Sequence, residues 1–271
     1  MSELVRGPGG FRFLVLALCL ALASCVSQQQ SGSDGALKSQ TTTSGEETAE
    51  RARARIHTEL AASYYGLGQM PVALEEVRAA IVSDPNFGPA HNVAGLIYAR
   101  LKDDRLATES FQRALAINPS DYDAHNNYGQ FLCDRKRERE AIQHFQLALR
   151  NPLYPTPDRS LVNAGVCARR SGDLASAEDY LKQALSVRPN HPQALYQLAD
   201  ISYERGDFET ARGYMGRLTK TTQPNAEILW LGARIARRLG DRNAEASYGL
   251  QLRNRYPNSA QAQALNAGRF E

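Results

Sequence analysis

From residue 51 onward the large apolar side chains follow the three-to-four-residue spacing of amphipathic helices. No segment shows the strict alternation of a half-buried strand. The helical pattern also repeats on a longer scale. An alanine followed four residues later by a large apolar residue, and seven later by another small one, occurs as Ala73, Val77 and Ala80. The same triplet returns as Ala107, Phe111 and Ala114, as Ala141, Phe145 and Ala148, and as Ala177, Leu181 and Ala184. Weaker copies are led by Ala211 and Ala244, so the lead alanines lie 34, 34, 36, 34 and 33 residues apart by subtraction. Twelve residues before each lead alanine stands a small residue: Ala61, Gly95, Gly129, Gly165, Ala199 and Gly232. Most copies close at a proline, at Pro85, Pro119, Pro189, Pro224 and Pro257.

A unit of about 34 residues with these small positions resembles the tetratricopeptide repeat. The resemblance implies an all-α superhelix of about six helix-turn-helix units across residues 51–271, beginning at Ala54, Gly88, Tyr122, Asp158, Pro192 and Asn225. The physics agrees with it. Small residues let two antiparallel helices approach closely, and proline stops the second helix and restricts the residue before it. One unit cannot bury its apolar face, whereas a stack can. Tyr128, Gly129, Leu132, Ala141, Phe145 and Ala148 then read as packing residues, and "DRKRERE" as a solvated inter-helix turn. The proline-rich "NPLYPTPDRS" adds two residues to the third unit and is expected to perturb the superhelix locally. "NRYPNSAQAQALNAGRFE" predicts a short terminal helix.

The first 50 residues break the pattern. Arg6 and Arg12 precede the apolar run "FLVLALCLALASC", too short for a bilayer span and shaped like an export signal. Leu22-Ala23-Ser24-Cys25 resembles the bacterial lipobox, which implies a lipoprotein signal peptide over 1–24 and lipidation of Cys25. Acyl chains contribute about 0.8 kcal/mol per buried methylene, so such an anchor holds. With no aspartate after the cysteine, the expected destination is the outer membrane, facing the periplasm. Residues 25–50 are polar, poor in large apolar side chains, and read as a flexible tether.

Candidate chemistry is sparse. His57, His91, His125, His144 and His191 form no metal-ligating motif, and His91 and His125 share one repeat position. No paired carboxylates or phosphate loop can be placed, so an enzyme, a bound cofactor and a small-molecule substrate are not expected. A net charge of +3 without a basic aromatic stripe gives no support to nucleic-acid binding. Cys133 and Cys167 fall at positions twelve and ten of the first helices of repeats three and four. Two positions turn a helix by about 200° and rise about 3 Å, so on parallel neighbours these side chains can face each other. This predicts a disulfide, lying beneath the "NPLYPTPDRS" loop, against the alternative of two buried free thiols.

In this repeat the first helices line the concave face, with positions two, five, nine and twelve tending inward. That selects Thr58 and Tyr65, then Asn92 and Leu96, then Asn126 and Gln130 as a groove for a partner segment. Asn92 and Asn126 stand one repeat apart, and amides can hold an extended peptide backbone. The alternative is that both serve only their own scaffold. Repeats four and five offer a different lining, with Arg159, Val162, Arg169 and Arg170, then Tyr196, Asp200 and Tyr203.

"NNYGQFLC" with "NPLYP", and "SYGLQLRNRYP" near the end, resemble the type IV pilus biogenesis lipoproteins known as pilotins. The resemblance implies a partner, the pilus secretin subunit, whose outer-membrane localisation and multimerisation the chain would promote in support of twitching motility. A scaffold lipoprotein of an outer-membrane protein insertion or envelope-maintenance complex is the alternative.

Overall fold

The computed structural model describes residues 47–270. The signal segment, Cys25 and most of the tether lie outside the described residues. Among the described residues the regular structure is entirely helical and falls into six antiparallel pairs. The first three are α1 (Ala49–Gly66) with α2 (Met70–Ser83), α3 (Gly88–Arg100) with α4 (Asp104–Ile117), and α5 (Tyr122–Asp134) with α6 (Glu138–Leu149). Then come α7 (Pro157–Arg170) with α8 (Leu174–Val187), α9 (Pro192–Glu204) with α10 (Phe208–Thr221), and α11 (Ala226–Leu239) with α12 (Arg242–Arg255). The short α13 (Ala260–Asn266) ends the stack. This is the tetratricopeptide superhelix that the periodicity predicts. One boundary differs: Thr48 accepts a hydrogen bond from the Arg51 amide at 3.2 Å, so α1 begins inside the segment read as tether.

The small residues do their work inside each pair. A Cβ built on Gly95 would stand 2.7 Å from the Phe111 ring, and one on Gly129 would stand 2.8 Å from Phe145. Gly165 and Gly232 meet Leu181 and Tyr248 at 2.7 and 2.8 Å. Each glycine therefore faces a bulky side chain of the second helix, at a separation no Cβ tolerates. In the first and fifth pairs alanine suffices, because Ala61 shares its cluster with the smaller Val77 and Ala199 with the pliable Met215.

The turns are equally regular. After each first helix one residue adopts the left-handed conformation: Gly68, Lys102, Lys136, Gly172, Gly206 and Gly240, with φ between 60° and 84°. Asp103, Asp173, Asp207 and Asp241 then cap the second helices of four repeats, each accepting from the amide three residues on. Repeats one and three depart from this: Gln69 and Arg137 occupy their cap positions without a side-chain cap bond.

The charged run at that turn is more than a solvated face. Arg135 reaches back to repeat two, where its guanidinium holds both oxygens of Asp104 at 2.7 and 2.8 Å. That hydrogen bonding keeps the Asp104 carboxyl below its usual range.

Repeats three and four are bound most elaborately. Cys133 and Cys167 are joined by a disulfide, with Cα atoms 5.8 Å apart, and both are buried. Its position differs from the one expected. The Cys167 sulfur is 3.9 Å from the Glu138 carbonyl, at the α5–α6 turn, whereas "NPLYPTPDRS" leads into and forms the first turn of α7 at the opposite end of the helices. The ten residues of α7 that separate them span about 15 Å. The loop is held by its own contacts instead. Tyr154 is buried and stacks on Tyr122 at 4.7 Å, its hydroxyl lies 3.1 Å from Ser160 Oγ, and Asn151 donates to the Ser120 carbonyl at 2.8 Å.

Candidate partner-binding groove

A recess of about 220 Å³ opens where α1, α3 and α5 present their exposed sides. Three of the six residues selected from repeat positions line it: Tyr65, Leu96 and Gln130. Phe111 and Phe131 complete its apolar wall, and Asn127, Arg100 and Arg135 supply its polar rim. Arg135 lies across the Phe131 ring at 4.9 Å, fixed there by Asp104, so its charge sits at the mouth without a loss of side-chain freedom on binding.

The other three are not groove residues. Thr58 is buried, and its hydroxyl donates to the Ala54 carbonyl at 2.7 Å within its own helix. Asn126 is fully buried; its Oδ1 accepts from Ser160 Oγ at 2.9 Å and from Asn163 Nδ2 at 3.0 Å. Asn92 is also buried, and accepts from Asn127 Nδ2 at 3.2 Å. For the two asparagines the physical reason is shared: the fifth position turns toward the neighbouring first helix, so its amide oxygen is engaged at the junction between repeats.

The asparagine that does reach the recess, beside Gln130, is Asn127, one residue and about 100° further round α5 from Asn126. Its Nδ2 donates to Asn92, and its Oδ1 accepts from Asn126 Nδ2 at 3.3 Å. One proton and one lone pair of the Asn127 amide remain for a partner, and the buried asparagines fix which way they point. The sequence carried a signal for this in the doubled Asn126-Asn127, of which the repeat register selects only the first.

The histidines serve the scaffold. His91 and His125 each bond a carbonyl of the preceding turn, Pro85 and Pro119, at 3.0 Å. The Pro119 carbonyl must accept, so His125 carries its proton on Nε2, and its Nδ1 accepts from His144 Nδ1 at 2.9 Å. Burial of this pair favours the neutral rings. It depresses His125, and together with the neighbouring His125 it brings His144 down to about 4.

The lining of the later repeats is internally paired around Arg169. Its guanidinium holds Gln197 and Asp200 at 2.7 Å and Glu204 at 2.6 Å, all from α9. Burial, with Asp200 alongside, pushes the Tyr196 phenol up to about 12. Arg170 pairs with Asp134 across the disulfide junction at 2.8 Å, and Arg159 faces Asp123 at 3.7 Å.

Known proteins share this architecture. Tetratricopeptide repeat models match residues 58–121, 110–143 and 168–235. The type IV pilus assembly protein PilF of Pseudomonas aeruginosa is 32% identical over 254 residues, covering 94% of this chain and 97% of that protein. The solved structure of Pseudomonas aeruginosa PilF superposes with a TM-score of 0.75 at 30% identity, over 82% of this chain and all of that one. PilW, described as a widely conserved type IV pilus biogenesis factor, gives a TM-score of 0.72 at 35% identity, over 79% of this chain and 98% of its own. With the fold and nearly the whole length of both sequences in common, the chain belongs to the PilF family of type IV pilus assembly proteins.

Proposed function

We propose that the chain is a pilotin: a lipoprotein, acylated at Cys25, that carries the type IV pilus secretin subunit to the outer membrane and promotes its assembly into a multimer there. The single observation that carries the reading is the recess between α1, α3 and α5, where an apolar wall from Tyr65, Leu96 and Phe131 meets the preset amide of Asn127. An extended segment of the partner would bury apolar side chains against the wall and bond its main chain to Asn127 and Gln130. No chemistry is asked of the protein; anchoring raises the local concentration of subunits, and assembly follows from that. The family relation supports the pilus, and the lipobox at Leu22-Ala23-Ser24-Cys25 supports the membrane.

The experiment is an unheated gel of outer membranes, probed for the secretin, in strains carrying Leu96→Arg, Asn127→Ala or Cys25→Ser. Loss of the heat-resistant multimer with persistence of monomer is expected for Leu96→Arg. Asn127→Ala should reduce the multimer, and Cys25→Ser should release the protein from the membrane. Thermal melts of the purified groove variants show that the fold is intact. An unchanged multimer in a deletion strain would sink the reading, and a general loss of outer-membrane proteins would move it to a scaffold of protein insertion.

A further inference from the structure

At the far end of the stack a second recess, of about 340 Å³, is built from different side chains. Tyr203 and Phe208 flank the α9–α10 turn, Arg234 and Arg238 project from α11, and Phe270 closes one side. The rings and the guanidinium groups are paired face to face. Arg234 lies over Tyr203 at 4.3 Å, and Arg238 lies over Phe208 at 4.5 Å. A third arginine, Arg237, covers Phe270 at 4.1 Å, while Phe270 stacks in turn on Trp230 at 5.2 Å.

This arrangement differs from the carboxylate-bound arginine sites of the molecule in one respect. Arg135, Arg137, Arg169 and Arg205 all hold a carboxylate. Among the described residues neither Arg234 nor Arg238 does, and the Nε of Arg234 is buried without a hydrogen-bond partner. Glu204, at the rim, is committed to Arg169 at 2.6 Å and does not neutralise them. A guanidinium lying flat on a ring keeps its N–H edge free and its geometry fixed, and that edge matches a carboxylate with two parallel bonds.

We propose that this recess is a second binding site, specific for a carboxylate-bearing segment of a partner protein, with Arg234 and Arg238 gripping the acid and Tyr203, Phe208 and Phe270 covering its neighbouring side chain. The site stands independently of the groove between α1, α3 and α5, since it uses other helices and the opposite chemistry: cations on aromatics in place of an amide on an apolar wall. Anionic phospholipid could offer a phosphate to the same forks. The peptide is favoured because the aromatic walls fit a side chain adjoining the acid, which a phosphodiester headgroup does not offer.

The chain has one tryptophan, Trp230, and its ring touches the Phe270 wall, so its emission reports on the recess directly. The folded protein is titrated with the blocked peptide acetyl-Asp-Phe-Glu-amide, with its neutral counterpart acetyl-Asn-Phe-Gln-amide, and with phosphatidylglycerol vesicles. The acidic peptide is expected to bind at least about tenfold more tightly than the neutral one, in keeping with the strength of charge-assisted bonds. Arg238→Gln, on the exposed turn of α11, should remove most of that difference, and Arg234→Gln should do so too if its melt is unchanged. Equal affinity for the two peptides, or an acid preference that survives Arg238→Gln, overturns the proposal. Binding of vesicles without binding of the acidic peptide also overturns it and assigns the site to lipid.

Discussion

The junction between repeats three and four and the junction between repeats five and six solve the same packing problem with different means. At the first, a disulfide from Cys133 to Cys167, the Arg170–Asp134 pair and the buried bonds of Asn126 to Ser160 and Asn163 add specific ties to an apolar contact. At the second, Leu195, Ile228, Leu231 and Ile235 meet in one cluster, and Arg234 lies over Tyr203. The fifth position of the unit changes in step: Asn126 in repeat three, but Tyr196 and Leu229 in repeats five and six. Apolar contact suffices to stack helices, so the additional ties fix one relative placement of repeats three and four. That placement matters because α5 carries both Asn126 and the groove residue Asn127.

The comparison is broken most directly at the disulfide. Replacing Cys133 and Cys167 together by serine should cost about 3–4 kcal/mol, the loop-entropy value for a closure of 34 residues. Urea denaturation of oxidised wild type against the double variant measures it, and thiol labelling of the denatured, unreduced protein should find no free thiol at either position. An equal stability would mean that the non-covalent ties alone hold this junction.

Asn126→Ala should cost about 1–3 kcal/mol, because it removes the acceptor of the buried Ser160 hydroxyl and of the half-buried Asn163 amide. It should also weaken partner binding through the loosened Asn127, whereas Tyr196→Phe at the same repeat position should leave binding unchanged. That contrast separates a junction that orients the groove from one that only stacks.

Repeat three should also respond to acid. His125 and His144 have folded pKa values below the unfolded value near 6.5, so the unfolded chain binds more protons between pH 6.5 and about 4. The contribution is complete above pH 6.5 and is lost as pH falls toward 4; with His125 buried and His144 partly exposed it is about 1 kcal/mol after allowance for solvent. Thermal melts over this range should show a flatter acid side for His144→Gln. The smallest effect is expected at the turn. Lys136→Gly should stabilise by about 0.5 kcal/mol, since relief of left-handed strain slightly exceeds the entropy glycine loses.

The sequence exposed the scaffold more fully than the surface. The small residues at Gly95, Gly129 and Gly165 announce the helix pairs because close approach leaves a residue no choice. Helical angles on parallel first helices made a Cys133–Cys167 pairing possible, with two buried thiols as the alternative, and the structure shows the bond. The groove was only half legible. Tyr65, Leu96 and Gln130 follow from the register, but whether Asn92 and Asn126 face solvent or a neighbour depends on how far adjacent first helices roll, and Asn127 was missed for that reason. The arginine-aromatic recess left no trace in the periodicity. Tyr203 and Arg234 are 31 residues apart by subtraction, and that spacing carries no pattern until the helices are stacked.

The match of each glycine to its bulky neighbour bears on how such an array can be rebuilt. Gly129 accepts Phe145 and Gly232 accepts Tyr248, while Ala61 is suited to Val77. Second helices are therefore not interchangeable: α6 grafted beside α1 would drive a phenyl ring into an alanine methyl. Whole pairs carry both halves of their own fit and can be duplicated or shuffled without this penalty. Recombination that cuts between units preserves this fit, whereas a cut at the left-handed turn keeps it only where the exchanged halves match, as Gly95 with Phe111 and Gly129 with Phe145 do.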